Sequence, residues 1–183
     1  MAADLPGPPG LAAPVERRRA AFLDRDGVLN LKRSDVYYVL TPDQLELLPG
    51  AATGLNLLAQ AGFRLIVVTN QRAVALGDLT LDGLDAIHAK LRSELGRSGV
   101  ALDAIYVCPH DNDACNCRKP SPGLLLQALR EFPDVDPARS VLFGDSSSDL
   151  EAAARAGIPA VQIPVNGSLE EAARAWLFGC GAV

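Results

Sequence analysis

Five short apolar runs alternate with longer stretches of helical period along this chain, and that alternation constrains the fold more than any other feature. The runs are AAFLD (20–24), FRLIVVT (63–69), AIYVC (104–108), SVLFGD (140–145) and AVQI (160–163). Runs this short and this apolar read as strands, and strands separated by helices read as a parallel sheet covered on its faces. Helix boundaries are marked between them. Pro49-Gly50 opens a helix ending near Gly62, and Thr80 caps another that runs to about Gly96. Ser121 is expected to cap a third helix with Pro122 in its first turn, and a fourth spans about Ser148 to Gly157. The fold class is therefore α/β, a Rossmann-like parallel sheet with helices on both faces.

Residues 1–16, MAADLPGPPGLAAPVE, lack periodicity and are rich in Pro, Gly and Ala, so residues 1–18 are expected to form a flexible leader before a single domain at 19–183. The basic run Arg17-Arg18-Arg19 reads as a solvated cluster before the first strand. With 183 residues there is room for one core and little more. A net charge of −5 and a pI near 5.0 argue against a nucleic-acid binder, which usually presents a basic face. No apolar run approaches the roughly 20 residues that span a bilayer, so no membrane partner is expected and the cytoplasm is the expected location. In that reducing setting, clustered cysteines suggest a metal before they suggest disulfides.

In open α/β sheets, ligands bind beyond the carboxyl ends of the strands. Asp24, Thr69-Asn70 and Gly144-Asp145 stand at those ends, and Lys119 follows the third strand. In FLDRDGVLN, Asp24 and Asp26 are followed by Gly27, and by itself the pair reads as a turn. GDSSSD at a later strand end changes that reading, because Asp145, with Asp149 as a further candidate, would complete an oxygen-rich Mg²⁺ site. The ensemble suits phosphoryl transfer. One carboxylate attacks phosphorus to give an aspartyl-phosphate, a second serves the leaving oxygen and then water, and Lys119 and the Thr69 hydroxyl offset charge on the phosphate oxygens.

These motifs, DRDGVLN, a strand ending in TNQ, Lys119 and GDSSSD, occur in the order found in the haloacid dehalogenase-like phosphatases, and residues 20 to about 163 resemble that family. The resemblance implies Asp24 as nucleophile, Asp26 as general acid and base, and Thr69 and Lys119 as phosphate ligands. It also implies Mg²⁺ held by Asp24, the Asp26 carbonyl and Asp145. The intervals between motifs leave no space for a large cap domain, so an open site walled by the 30–40 loop and the loop after the third strand is expected.

That loop reads CPHDNDACNCRKP (108–120), and Cys108, His110, Cys115 and Cys117 make a donor set suited to a closed, structural tetrahedral Zn²⁺. A disulfide, or free thiols beside a surface histidine, is the alternative. Four protein ligands leave no position for a catalytic water, so the expected task of the ion is to fix the loop that carries Arg118 and Lys119. The CPH and CxCRKP pattern is similar to the zinc-containing branch of the superfamily, in which heptose bisphosphate phosphatases and histidinol-phosphatases occur. The YYV…LELLPGA and TNQRAVALG stretches resemble the heptose group, which implies Asn70, Gln71 and Arg118 as substrate contacts. Leu76 and Ser146 stand where many members carry cations, which implies fewer charges for a second phosphate.

Other residues have plainer readings. His88 is expected to be a partly exposed helix residue, Trp176 and Phe178 to pack the last helix onto the sheet, and Cys180 to be a plain thiol. Lys32, Arg33 and Asp35 form either a pocket wall or a solvated loop. The resulting expectation is a monomeric, Mg²⁺-dependent hydrolase of the 7-phosphate of a heptose 1,7-bisphosphate. Its rivals are histidinol-phosphate hydrolysis, nucleic-acid 3′-phosphate removal and a non-catalytic zinc-organised interaction domain.

Overall fold

The computed structural model describes residues 17–34, 38–112 and 114–179; the leader residues 1–16, Asp35 and Cys180 lie outside the described residues. Five parallel strands form one sheet in the order β3-β2-β1-β4-β5. They are β1 (Arg19–Leu23), β2 (Phe63–Asn70), β3 (Ala104–Cys108), β4 (Val141–Gly144) and β5 (Ala160–Gln162). Each lies within a residue of its expected place. Arg18 already joins the ordered structure, its N donating to Asp134 O and its O accepting from Asp136 N.

The apolar runs lack strict alternation because both faces of the sheet are covered. Ala21, Leu23, Leu65, Val67, Val141 and Phe143 face one core layer. Ala20, Phe22, Ile66, Val68, Tyr106 and Leu142 face the other. The first layer is closed by α1 (Ala51–Gln60), α2 (Leu81–Arg97) and α5 (Leu169–Phe178), and the second by α3 (Gly123–Glu131) and α4 (Ser147–Arg155).

Helix starts follow side-chain chemistry in most cases. The Thr80 hydroxyl accepts from Gly83 N at the head of α2, and Ser146 and Asp149 form a capping box on α4. At α3 the expectation fails: Pro122 is the cap residue, and Ser121 is not. Ser121 N donates instead to Arg118 O, so its backbone closes the preceding loop. At the other end of the chain, α5 packs on α1 at Gly54, where a Cβ would come within 2.8 Å of Leu169. Trp176 joins that core layer, whereas Phe178 is 68% exposed and packs nothing onto the sheet, because it occupies the last turn where the helix leaves the core.

Candidate active site

The chain runs outward from β1 through β2 to β3 and then crosses to the other side of β1 for β4, so a switch point lies between β1 and β4. That topology brings Asp24 and Asp145 together. Leu23 is in register with Phe143, and Asp24 N donates to Phe143 O at 3.0 Å. Between them the chain turns sharply at Gly27, whose φ is 91°. A Cβ there would stand 2.4 Å from Asp145 Oδ2, so both the turn and the close approach require glycine.

Lys119 is buried at the centre. Its Nζ lies 2.8 Å from Asp24 Oδ1 and 2.5 Å from Asp149 Oδ1, and donates to Val68 O at 2.9 Å. Burial disfavours its charge, but the two carboxylates outweigh that and raise its pKa. For Asp24 the balance goes the other way. Burial, with repulsion from Asp149 and Asp26, raises its pKa to about 6 against the pull of Lys119.

Carboxylate oxygens of Asp24, Asp145 and Asp149 lie within 4.8 Å of one another, an all-oxygen set that fits a hard divalent cation. Asp149 has other engagements: besides Lys119, its Oδ2 accepts from Ser146 N and Oγ. Asp24 and Asp145 line the cavity above the group and Asp149 does not, so the first two are the side chains that could hold Mg²⁺. The Asp26 side chain is not part of this group, although it lines the same cavity. It accepts from Arg25, from Asn30 Nδ2 at 3.0 Å and from Gln71 Nε2 at 2.9 Å. Burial pushes the Asp26 carboxyl up, but the Arg25 charge and these hydrogen bonds prevail and hold it below the ordinary range.

A cavity of about 630 Å³ opens above these groups. Asp24, Asp26, Thr69, Asn70, Lys119 and Asp145 line its floor, and Lys32, Arg33, Tyr38, Val39, Ser146 and Ser148 form its walls. Lys32 and Arg33 therefore belong to a pocket wall. Lys32 Nζ also reaches Asp145 Oδ2 at 2.9 Å. The three residues named as substrate contacts have different surroundings. Asn70 lines the cavity, but its amide is bonded at 3.1 Å to both N and O of Lys119, fixing that residue's backbone. Gln71 is buried and turned inward, bridging Thr69 Oγ1 and Asp26. Arg118 lies along the neighbouring loop, donating to Asn112 Oδ1 and His110 O, outside the cavity lining. Leu76 is also outside the lining.

In that loop the four zinc candidates converge. Sulfur and Nδ1 atoms of Cys108, His110, Cys115 and Cys117 are 3.1–3.7 Å apart in the contacting pairs, close to the ~3.5–3.8 Å edges of a tetrahedron built on Zn–N and Zn–S bonds. The three thiols form no disulfide. Donor type and spacing both fit zinc. Asp111 pairs with Arg72, which joins this loop to the one after β2.

Two buried residues behind Asp26 escape the sequence reading. Arg25 is fully buried and sits under the turn. His88, expected to be partly exposed, is 7% exposed with Nε2 at 3.3 Å from Arg25 Nη1. A signal was present: His88 lies four residues after Leu84 and three before Leu91, on the buried stripe of α2.

Comparison with known proteins agrees with this architecture. A protein of Rhodopseudomonas palustris called D-glycero-beta-D-manno-heptose-1,7-bisphosphate 7-phosphatase is 41% identical, the match covering 81% of this chain and 85% of that one. A Mycobacterium bovis protein named for the alpha anomer is 44% identical over 78% of this chain and 77% of its own length. The crystal structure of D,D-heptose 1,7-bisphosphate phosphatase from B. bronchiseptica, complexed with magnesium and phosphate, superposes with a TM-score of 0.75 at 36% identity, covering 90% of this chain and 88% of that one. The haloacid dehalogenase-like hydrolase family model matches residues 10–157, and with the switch-point carboxylates and Lys119 in place, the chain belongs to that family.

Proposed function

We propose that the chain is an Mg²⁺-dependent phosphatase that removes the 7-phosphate of D-glycero-D-manno-heptose 1,7-bisphosphate, leaving the 1-phosphate. The observation that carries this reading is the contact of buried Lys119 with Asp24 at the β1–β4 switch point, beneath a cavity large enough for a phosphorylated sugar. The relatives' names supply the sugar.

In the mechanism, an Asp24 carboxylate oxygen attacks phosphorus. The bond from phosphorus to the sugar oxygen breaks, and Asp26, which must carry a proton for this step although Arg25, Asn30 and Gln71 favour its carboxylate, delivers that proton to the leaving oxygen. Asp26, again a carboxylate held by Arg25, Asn30 and Gln71, then takes a proton from water as the water oxygen bonds to phosphorus. The acyl-phosphate bond breaks, inorganic phosphate leaves and Asp24 is restored. Throughout, Lys119 and the Thr69 hydroxyl face the charged phosphate oxygens. Mg²⁺, held by Asp24, the Asp26 carbonyl and Asp145, supplies further neutralisation of that charge when bound. Lys32 and Arg33 on the wall give the second phosphate positive surroundings, in place of the cations missing at positions 76 and 146.

Zinc on Cys108, His110, Cys115 and Cys117 is the structural ion of this reading. The enzyme is taken to act as a monomeric single domain in the cytoplasm. A Cys/His donor set suited to a metal supports the compartment, and no helix among the described residues is long and apolar enough to cross a membrane.

The test is phosphate release with Mg²⁺ from both anomers of the heptose bisphosphate, beside histidinol phosphate, for the wild type and Asp24→Asn. Turnover of one bisphosphate anomer well above the other two substrates, lost in the variant, is expected. Equal or absent turnover of all three would overturn the substrate.

A further inference from the structure

The turn that carries Asp26 contains a guanidinium with no access to water. Arg25 is 0% exposed, and a buried charge of this kind persists only where partners fix it. Its Nη2 donates to both oxygens of Asp26, at 2.9 and 3.0 Å, its Nε to Asp26 Oδ1 at 3.2 Å, and Nη2 again to Gln71 Oε1 at 3.2 Å. One edge of the fork thus grips the carboxylate. The other edge, Nη1, faces His88 Nε2 at 3.3 Å.

A guanidinium has no lone pair to offer, so in this contact His88 must accept. The ring is then neutral, with Nε2 bare and the proton on Nδ1. Burial and the adjacent Arg25 charge, with Arg92 adding to them and Asp26 opposing, lower the His88 pKa to about 4. The acceptor therefore persists across the neutral range. His88 belongs to α2, which is anchored in the core by Leu84, Ile87, Leu91 and Leu95. Arg25 and Asp26 belong to a turn with no helix or strand of its own.

We propose that His88 is a positioning residue for catalysis: by accepting from Arg25 it ties the guanidinium to α2, and the guanidinium in turn aims the Asp26 carboxyl at the leaving oxygen. The inference rests on the phosphatase reading and on Asp26 as its acid and base. His88 does not line the cavity.

A structural role and a positioning role make different predictions for leaving groups. An alkyl phosphate expels a poor leaving group and needs the proton from Asp26, whereas p-nitrophenyl phosphate expels a stable phenolate and does not. The value of kcat/KM reports the step in which that bond breaks. His88→Leu, which has no acceptor, is expected to lower kcat/KM for the heptose bisphosphate by about tenfold to a hundredfold while p-nitrophenyl phosphate stays within about threefold. His88→Gln, whose Oε1 can accept from Arg25, is expected to recover most of the loss.

Equal losses on both substrates, or no loss on either, would overturn the proposal. If His88→Leu does not fold, His88→Asn, whose amide stops short of the guanidinium, must show the same split. Asp26→Asn is measured alongside. If it fails to separate the two substrates, the reading of Asp26 as the acid fails, a different result from intact Asp26 selectivity with an indifferent His88.

Discussion

Lys119 carries the charge balance of the site, because it is the ammonium between Asp24 and Asp149, and both of those side chains are largely withdrawn from water. In Lys119→Met the two carboxylates face each other unneutralised, and Asp24, already raised to about 6, moves higher and loses nucleophilicity near neutral pH. Turnover is expected to fall by at least about a hundredfold. Stability without added metal should drop by about 3 kcal/mol, read by urea denaturation. His88 makes a prediction with a definite sign. The unfolded chain binds a proton there near 6.5 and the folded protein only near 4, so between those values the unfolded state holds more protons. Stability from this group is complete above 6.5 and is lost as pH falls toward 4. Wild type should gain up to about 3 kcal/mol more than His88→Gln over that interval. Identical pH dependence of the two proteins would refute a buried, neutral His88.

Among the elements, the loop from β3 to α3 depends most on something other than its own packing. Cys108 is buried at the end of β3, but Cys115 and Cys117 are half-buried and His110 is exposed. The loop nevertheless positions Lys119, whose backbone is further fixed by Asn70. A zinc-selective chelator is expected to lower the melting temperature by several degrees and to abolish turnover. Mg²⁺ alone should not restore activity, and zinc should. Full activity in protein shown to be zinc-free would remove the metal from this account. Helix α2 has a different relation to the site. It contributes no cavity-lining residue, yet its buried stripe supplies His88, so an element placed by core packing reaches the chemistry through one side chain.

At the scale of the whole molecule, the cavity wall is held by a residue far away in sequence. Asn166, in the turn between β5 and α5, accepts from Lys32 N at 2.7 Å and donates to Lys32 O at 2.9 Å, while its own N donates to Gly27 O. It does so at φ 61°, a left-handed conformation that asparagine tolerates better than alanine. Asn166→Ala should destabilise by about 2 kcal/mol and Asn166→Gly by less, because glycine loses the bonds but not the conformational ease. Both should raise KM for the bisphosphate more than they lower kcat. An unchanged KM would show that the wall does not need this tie. Asn166 was not singled out in the sequence, since nothing local marks a residue that acts across so long an interval. The alternation of apolar runs with helical stretches determined the parallel α/β class and each strand to within a residue, because strand burial and helix capping are read over a few neighbours. The motif residues Asp24, Thr69, Lys119 and Asp145 and the Cys/His set were legible for the same reason: each occupies a strand end or a short loop. Which side chains face the cavity was decided by the tertiary structure. Gln71 turned inward, Arg118 lay along its own loop, and Arg25 and His88 met beneath the turn. Arg118 was taken by partners six and eight residues back in its own loop, whereas the Gln71 and Arg25–His88 outcomes depend on hydrogen bonds between segments tens of residues apart, and such partners exist only once the sheet has brought the strand ends together.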